Sequence, residues 1–240
     1  MNILVVNDDG IMSPGIEVLR SFFLRHGEHV LTVAPATNQS GRSGAITLLE
    51  PLDVLNRGEN LWAVTGTPVD SVRVALTYLG YQPDLIASGI NHGSNLADDV
   101  YASGTVGAAH FGCLHGIPAI ALSAASEQWS WTGRLLERHW PIIRSASESA
   151  LGVLNVNFPV HGGLAIVHAP LAPAQHRDEL LSVEKTSIGH RITLQSVAGR
   201  DPSTMDRKTD LHGVHSGLVT LTDLALSSTL FATNRHATRA

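Results

Sequence analysis

Met1-Asn2-Ile3-Leu4-Val5-Val6-Asn7-Asp8-Asp9-Gly10 opens the chain with an apolar run, Ile3 to Val6, that ends abruptly in polar residues before Gly10 permits a turn. A short apolar run closed by turn residues is the pattern of a strand buried on both faces. Its carboxyl end delivers two adjacent carboxylates to the rim of a sheet, where open α/β folds bind their ligands. Two carboxylates ~4 Å apart at an effective dielectric of about 20 repel by on the order of 4 kcal/mol. A divalent cation with oxygen ligands relieves that repulsion, and Mg²⁺ or Mn²⁺ suits such donors. Taken alone, Asp8-Asp9-Gly10 also reads as a solvated turn, so the neighbouring segments carry the argument.

Ser13-Pro14 is a helix start, with Ile16, Leu19 and Phe23 on one face and Gly27 as the stop. Val30 to Ala34 is a second apolar strand closed by Pro35, which completes a βαβ unit. The loop that follows contains Asn38-Gln39-Ser40-Gly41-Arg42-Ser43-Gly44 and lies on the same rim as Asp8 and Asp9. It reads either as an ordinary loop or as a source of a hydroxyl ligand and anion-binding N–H groups. Thr47 to Leu49, Leu52 to Leu55 and Leu61 to Val64 read as short strands of a side meander. Thr67-Pro68-Val69-Asp70 is a capping box, and Val69, Val72, Leu76 and Leu79 form the stripe of its helix.

Asp84 to Ser88 is the next strand, and it leads into Ser88-Gly89-Ile90-Asn91-His92-Gly93-Ser94-Asn95. Beyond Asp98 and Asp99, read as a solvated turn, Ser103-Gly104-Thr105 opens a small-residue helix whose free N–H groups suit a phosphate. His92 is read as a solvated loop histidine. Neither a Walker loop nor a dinucleotide glycine fingerprint is present. Pro118 to Ser123 is a buried strand, and Trp129 to Ser149 a helix with Leu135, Leu136, Ile142 and Ile143 inward. Val153 to Val156 and Leu164 to Val167 complete or extend the sheet. Arg191 to Val197 alternates as a ribbon, Asp201 to Asp210 is polar, Gly217 to Leu221 is a last strand, and Thr233 to Ala240 reads as loose.

With 240 residues, 43% hydrophobic, the chain can bury one large core, read as a single α/β domain over 1–240. The core spans about 1–170, and the elements from about 171 to 240 read as a hairpin and return strand for oligomer contacts. A formal charge of −5 argues against a nucleic-acid duplex or an anionic membrane as partner. Cys113 stands alone in an apolar stretch, read as buried filler. Without a long apolar window or a leader pattern, the expected location is the cytoplasm.

These segments resemble, in order and spacing, the SurE (survival protein E) family of metal-dependent nucleotidases. The likeness is carried by Asn7-Asp8-Asp9-Gly10-Ile11 with Pro14-Gly15, by Ala34-Pro35 with Asn38-Gln39-Ser40-Gly41-Arg42-Ser43, and by Gly66-Thr67-Pro68. Ser88-Gly89-Ile90-Asn91 with Gly93 and Asn95, and Ser103-Gly104-Thr105-Val106, continue it. The match is close over about the first 125 residues and looser beyond, at Leu154 to Pro159 and Gly217 to Leu221.

The resemblance implies a Rossmann-like three-layer core with a mostly parallel sheet, and a homodimer or homotetramer built through C-terminal elements. It implies hydrolysis of nucleoside 5′- and 3′-monophosphates to nucleoside and phosphate. One Mg²⁺ or Mn²⁺ per subunit would be held by Asp8, Asp9, Ser40 and Asn91, with Asp8 or Asp9 as proton acceptor. Phosphate contacts would come from Gly41, Ser43, Asn95, Ser103, Gly104 and Thr105. A broad acid phosphatase or exopolyphosphatase, or a non-catalytic nucleotide or phosphate sensor on the same fold, are the alternatives. The presence of all four ligand types favours an enzyme over a sensor. The chain departs from the family at Ser94, where proline is usual, and at Thr222-Asp223, where a Thr-Pro pair is usual.

Overall fold

The computed structural model describes residues 1–173, 176–198 and 206–225. Strand β1 (Asn2–Val6) has Ile3, Leu4, Val5 and Val6 all at 0% exposure, so it is buried on both faces as its composition implies. Ile3 and Val5 pack with one apolar cluster and Leu4 and Val6 with the other, the period-two alternation of a central strand. Helix α1 (Pro14–Arg25) returns the chain to β2 (His29–Pro35), which pairs parallel with β1. Phe22 and Phe23 of α1 meet Trp140 edge-on, with ring centroids 5.3 and 5.1 Å away.

An antiparallel pair, β3 (Val54–Gly58) and β4 (Leu61–Val64), extends the sheet beyond β2. Thr47 to Leu49 is not a strand. The Thr47 N–H and hydroxyl donate to the Asp70 carboxylate, which withdraws them from any ladder, and Leu49 lies at φ +59. Likewise β3 begins two residues later than the apolar run at Leu52. Helix α2 (Pro68–Arg73) carries the capping box and runs into a π-helical turn, Val74–Tyr78. That wider turn rotates the stripe, so Val72 and Ala75 are sealed while Leu76 and Leu79 are half-buried.

Strand β5 (Leu85–His92) continues past Ser88 to His92, with a bulge against its neighbour between Ser88 and Asn91. The chain then forms α3 (Asp99–Ala102), α4 (Gly104–Leu114), β6 (Ala119–Ala124), α5 (Trp129–Ser149) and β7 (Gly152–Phe158). In α5 the buried stripe is Leu135, Leu136, His139, Trp140 and Ile143, whereas Ile142 is 47% exposed. One residue is 100° of helix, so Ile142 turns to solvent beside a buried Ile143. A short β8 (Ile166–His168), a hairpin of β9 (His176–Thr186) and β10 (Gly189–Ala198), α6 (Asp210–His215) and β11 (Val219–Ala225) follow.

The nine-stranded sheet has the order β3-β4-β2-β1-β5-β6-β7-β11-β8. Its strands are parallel except β3 and the β11 contact with β7; β11 is in turn parallel to β8. Helices α1 and α5 cover one face and α2 and α4 the other, giving three layers. Among the described residues the hairpin β9–β10 pairs with no other strand. Among the described residues no helix is long and apolar enough to cross a membrane. Thr233 to Ala240, and the part of the polar stretch before residue 206, lie outside the described residues.

Candidate metal and phosphate site

From β1 the sheet grows through β2 in one direction and through β5, β6 and β7 in the other. The switch point is therefore the crevice at the carboxyl ends of β1 and β5, where α/β folds place their ligands. Five stretches singled out from the sequence border it: Asn7 to Gly10, the loop after β2, the end of β5, the loop to α3, and the start of α4.

Asn7 sets the first turn. Its amide donates to the Gly10 carbonyl (2.9 Å) and the Ser13 hydroxyl (2.8 Å), and its Oδ1 accepts the Gly10 N–H at 3.2 Å. Ser13 therefore begins α1 without capping it, because its oxygen already serves Asn7. Gly10 closes the turn at φ +102, in the region that glycine adopts without strain.

Asp8 is 3% exposed and accepts the Thr105 hydroxyl at 2.5 Å. A Cβ on Gly104 would lie 2.9 Å from the Asp8 Cβ, so only glycine there lets the first turn of α4 close on this carboxylate. Burial pushes the Asp8 carboxyl up from its usual range, against the pull of the Thr105 hydroxyl and the Thr105 and Gly104 N–H groups. Asp9 accepts the His92 N–H on Oδ2 at 2.9 Å, and the Asn38 amide approaches its Oδ1 at 3.5 Å. Burial raises the Asp9 carboxyl too, opposed by the His92 N–H and reinforced by the charge of Asp8. Among the described residues neither carboxylate is paired with a lysine or arginine.

The loop after β2 meets the Asp8 backbone and the Asp9 carboxylate. Gln39 donates its N–H to the Asp8 carbonyl at 2.7 Å, and Asn38 Oδ1 accepts the Ser40 N–H at 2.9 Å. Ser40 itself is exposed. At the end of β5 the Asn91 amide donates to the Gly93 carbonyl at 2.7 Å, so its Oδ1 is the atom that could serve a cation. Two carboxylates, a hydroxyl and a carboxamide oxygen would make a hard, all-oxygen donor set, and a cation beside Asp8 and Asp9 would answer carboxyls that burial disfavours. No group of three or more His, Cys, Asp or Glu that could hold a metal ion comes together among the described residues.

The residues expected to touch phosphate divide. Gly104 and Thr105 stand at the N-terminus of α4 directly on Asp8, and the Ser103 hydroxyl caps that helix by accepting the Val106 N–H at 3.1 Å. Gly41 is exposed at φ +73. Ser43 is tied to α3, its N–H on the Ala102 carbonyl (3.0 Å) and its hydroxyl on the Tyr101 carbonyl (2.7 Å). Asn95 lies beneath the loop: its amide donates to the Ser123 hydroxyl at 2.8 Å and its N–H to Asn157 Oδ1 at 2.9 Å. The His92 ring is more than half exposed, with Nε2 3.7 Å from Glu127, and only its backbone meets Asp9.

Sequence reasoning missed Asn38, which props both Ser40 and Asp9, and the pair Asn155 and Asn157, whose amides both donate to the Asn95 carbonyl. A signal was present for the pair: two asparagines two positions apart in an apolar strand share one buried face.

A doubly wound α/β sheet with an acidic, oxygen-lined crevice beside a helix N-terminus defines a Rossmann-like protein suited to a hard cation and an anion together. The chain belongs to the SurE family: the family described as Survival protein SurE matches residues 3–202. A protein from Albidiferax ferrireducens named 5′-nucleotidase SurE is 35% identical over 236 residues, covering 95% of this chain and 93% of that protein. The crystal structure of the SurE protein from Aquifex aeolicus superposes with a TM-score of 0.79 at 30% identity, covering 98% of this chain and 97% of the other.

Proposed function

We infer that the chain is a 5′-nucleotidase, a phosphomonoesterase that hydrolyses nucleoside monophosphates, 5′ and also 3′, to nucleoside and inorganic phosphate. The observation that carries this reading is the pair Asp8 and Asp9 at the switch point, unpaired by any cation of the described chain, in a protein related across its length to a 5′-nucleotidase. Asp8, Asp9, Ser40 and Asn91 would hold one Mg²⁺ or Mn²⁺. When bound, such an ion supplies positive charge to the phosphoryl oxygens and acidity to water, which this slow hydrolysis requires.

The chain's own groups do the rest. Thr105 holds Asp8 in one orientation through its hydroxyl, and the His92 N–H does the same for Asp9. The Gly104 and Thr105 N–H groups bear on the Asp8 carboxylate, so a phosphate bound beside it would meet the positive end of α4. Gly41 and Ser43 would add phosphate contacts from the loop after β2. Asp9, less deeply buried than Asp8, is the carboxylate placed to accept a proton from attacking water.

The hairpin supports the oligomer reading. Val183 faces Ile192 and Leu180 faces Leu194 across β9 and β10, and all four are more than half exposed. The opposite face pairs Ser182 with Thr193 and Glu184 with Arg191. A two-stranded ribbon with one bare apolar face is marginal alone and is completed by a second copy of this chain.

The test is phosphate release from nucleoside 5′- and 3′-monophosphates, p-nitrophenyl phosphate and polyphosphate, with EDTA, Mg²⁺ or Mn²⁺. Metal-dependent release favouring the monophosphates carries the reading. Binding of metal and nucleotide with no release under any condition replaces it with a sensor.

A further inference from the structure

Asp210 opens α6 and is wholly buried at 0% exposure, yet the reaction as read above makes no use of it. Its carboxylate accepts backbone N–H groups from separate stretches: Ala97 on Oδ2 at 3.0 Å, and Ala172 and Leu211 on Oδ1, both at 2.7 Å. Its own N–H donates to the Pro170 carbonyl at 2.9 Å. Hydrogen bonds to an ionised acceptor are roughly twice as strong as neutral ones, and burial removes solvent competition.

Ala97 is the telling partner. It sits at φ +50, a conformation a residue with a side chain holds only where its surroundings impose it. It belongs to the segment joining β5 to α3, with Asn91 before it and Gly104 and Thr105 after it. That segment is fastened at three points. Asn91 grips the Gly93 carbonyl, Asn155, Asn157 and Ser123 grip Asn95, and Asp210 grips Ala97 from 113 residues further along the chain.

We propose that Asp210 is a positioning residue for the metal and phosphate site: its carboxylate fixes the β5–α3 loop from behind, so that Asn91 and the start of α4 keep their places against Asp8 and Asp9. The role assigned to those four places rests on the phosphomonoesterase reading. The consequence is that α6, which lies between the hairpin and β11 in the chain, helps to set the geometry of a site to which it contributes no ligand.

Asp210→Asn preserves the side chain's size and one acceptor but turns an NH₂ against a backbone N–H; Asp210→Ala removes both acceptors. Asp84→Asn is the control, because Asp84 also accepts a backbone N–H, from Asn2 at 2.7 Å, at the exposed amino ends of β1 and β5, opposite the crevice. With p-nitrophenyl phosphate, well below the melting temperature, Asp210→Asn should lower kcat about tenfold or more and raise half-saturating Mn²⁺ severalfold, since misplacement by ~1 Å can cost ~10² in rate. Asp84→Asn should change neither. A melting temperature lowered with kcat and Mn²⁺ dependence intact would make Asp210 merely structural and overturn the proposal.

Amide exchange on the wild type decides the matter even where the variants fail to fold. Addition of Mn²⁺ with inorganic phosphate should slow exchange at Ala97, Ala172 and Leu211 together. Slowing at Ala97 alone overturns the link. Absence of phosphate release by the wild type strikes the phosphomonoesterase reading instead, and leaves the exchange result to judge Asp210.

Discussion

The β1–β5 crevice and the β9–β10 hairpin are both built from strands, yet they bury their side chains in opposite ways. In β1 every apolar side chain from Ile3 to Val6 is sealed between two helical layers, and Asn7, Asp8 and Asp9 follow where the strand ends. In the hairpin Leu180, Val183, Ile192 and Leu194 are more than half exposed, and among the described residues the two strands pair with no other strand. A strand sealed on both faces gives its terminal residues fixed coordinates, which a site for chemistry requires. A ribbon with one bare face fixes only a surface. The contrast separates the part of the molecule that needs exact placement from the part that needs area.

The largest effect that sharpens this contrast is expected at the rim. Asp8→Asn should lower phosphate release ~10³-fold or more, measured as kcat/KM with Mn²⁺ saturating, because a carboxylate of the donor set is lost. The same variant should melt no lower than the wild type without metal, since it removes one of two repelling charges. A large loss of stability would show that Asp8 holds the fold rather than the chemistry.

Gly15→Ala comes next. A Cβ there would lie 1.9 Å from the Ile90 carbonyl oxygen, so α1 would have to move off β5 one residue before Asn91. A loss of about 3 kcal/mol or more in urea unfolding, or an insoluble protein, is expected from overpacking of this kind. A tolerated alanine would show that the crevice is softer than its packing implies.

Asp70 gives the pH dependence. Burial pushes its carboxyl up, but the Thr47 hydroxyl, the Thr67 and Thr47 N–H groups and Arg73 outweigh burial and hold it below the ordinary 3.8. A carboxyl depressed in the folded state stabilises the protein above the unfolded value and loses that contribution as pH falls through the folded one. Asp70→Ala should therefore cost about 2 kcal/mol at neutral pH, by loss of a cap and of buried hydrogen bonds, and less below about pH 4. Urea unfolding followed from pH 7 to pH 3 checks the sign; a penalty that grows on acidification contradicts it.

The smallest effect on the fold is expected in the hairpin. Val183→Glu with Ile192→Lys should change the monomer's stability by ~0.5 kcal/mol or less, because both side chains already face solvent. It should shift the assembly to monomer in light scattering. A drop in core stability equal to that of Gly15→Ala would erase the distinction between the two regions.

Strands that are continuous apolar runs could be read directly, because burial on both faces leaves no polar residue to confuse the period. That covers β1, β2 and β6, and with them the rim that holds Asp8 and Asp9. Thr47 to Leu49 misled because its composition suits a strand, while its backbone goes to a carboxylate 23 residues away. The reach of β5 to His92 was hidden by Gly89, which reads as a turn yet sits where a Cβ would strike the Leu122 carbonyl at 2.3 Å. The site divides in the same way. Which residues gather at the crevice follows from strand ends and motif order, but where a hydroxyl or amide points does not, and Ser43 and Asn95 are engaged by neighbours no spacing rule foretells.

Strand β11 has a consequence for biosynthesis. It inserts between β7 and β8 and is drawn from residues 219–225, whereas β7 is complete at Phe158. At about 5–20 residues per second, the ribosome needs several seconds to make the intervening chain. Throughout that interval the long edge of β7 has its crevice-side neighbour, β6, but not its outer one. The strands whose ends carry Asp8, Asp9 and Asn91 are therefore made while the sheet edge is still open, and Asp210 and β11 arrive last to fasten the loop and close that edge.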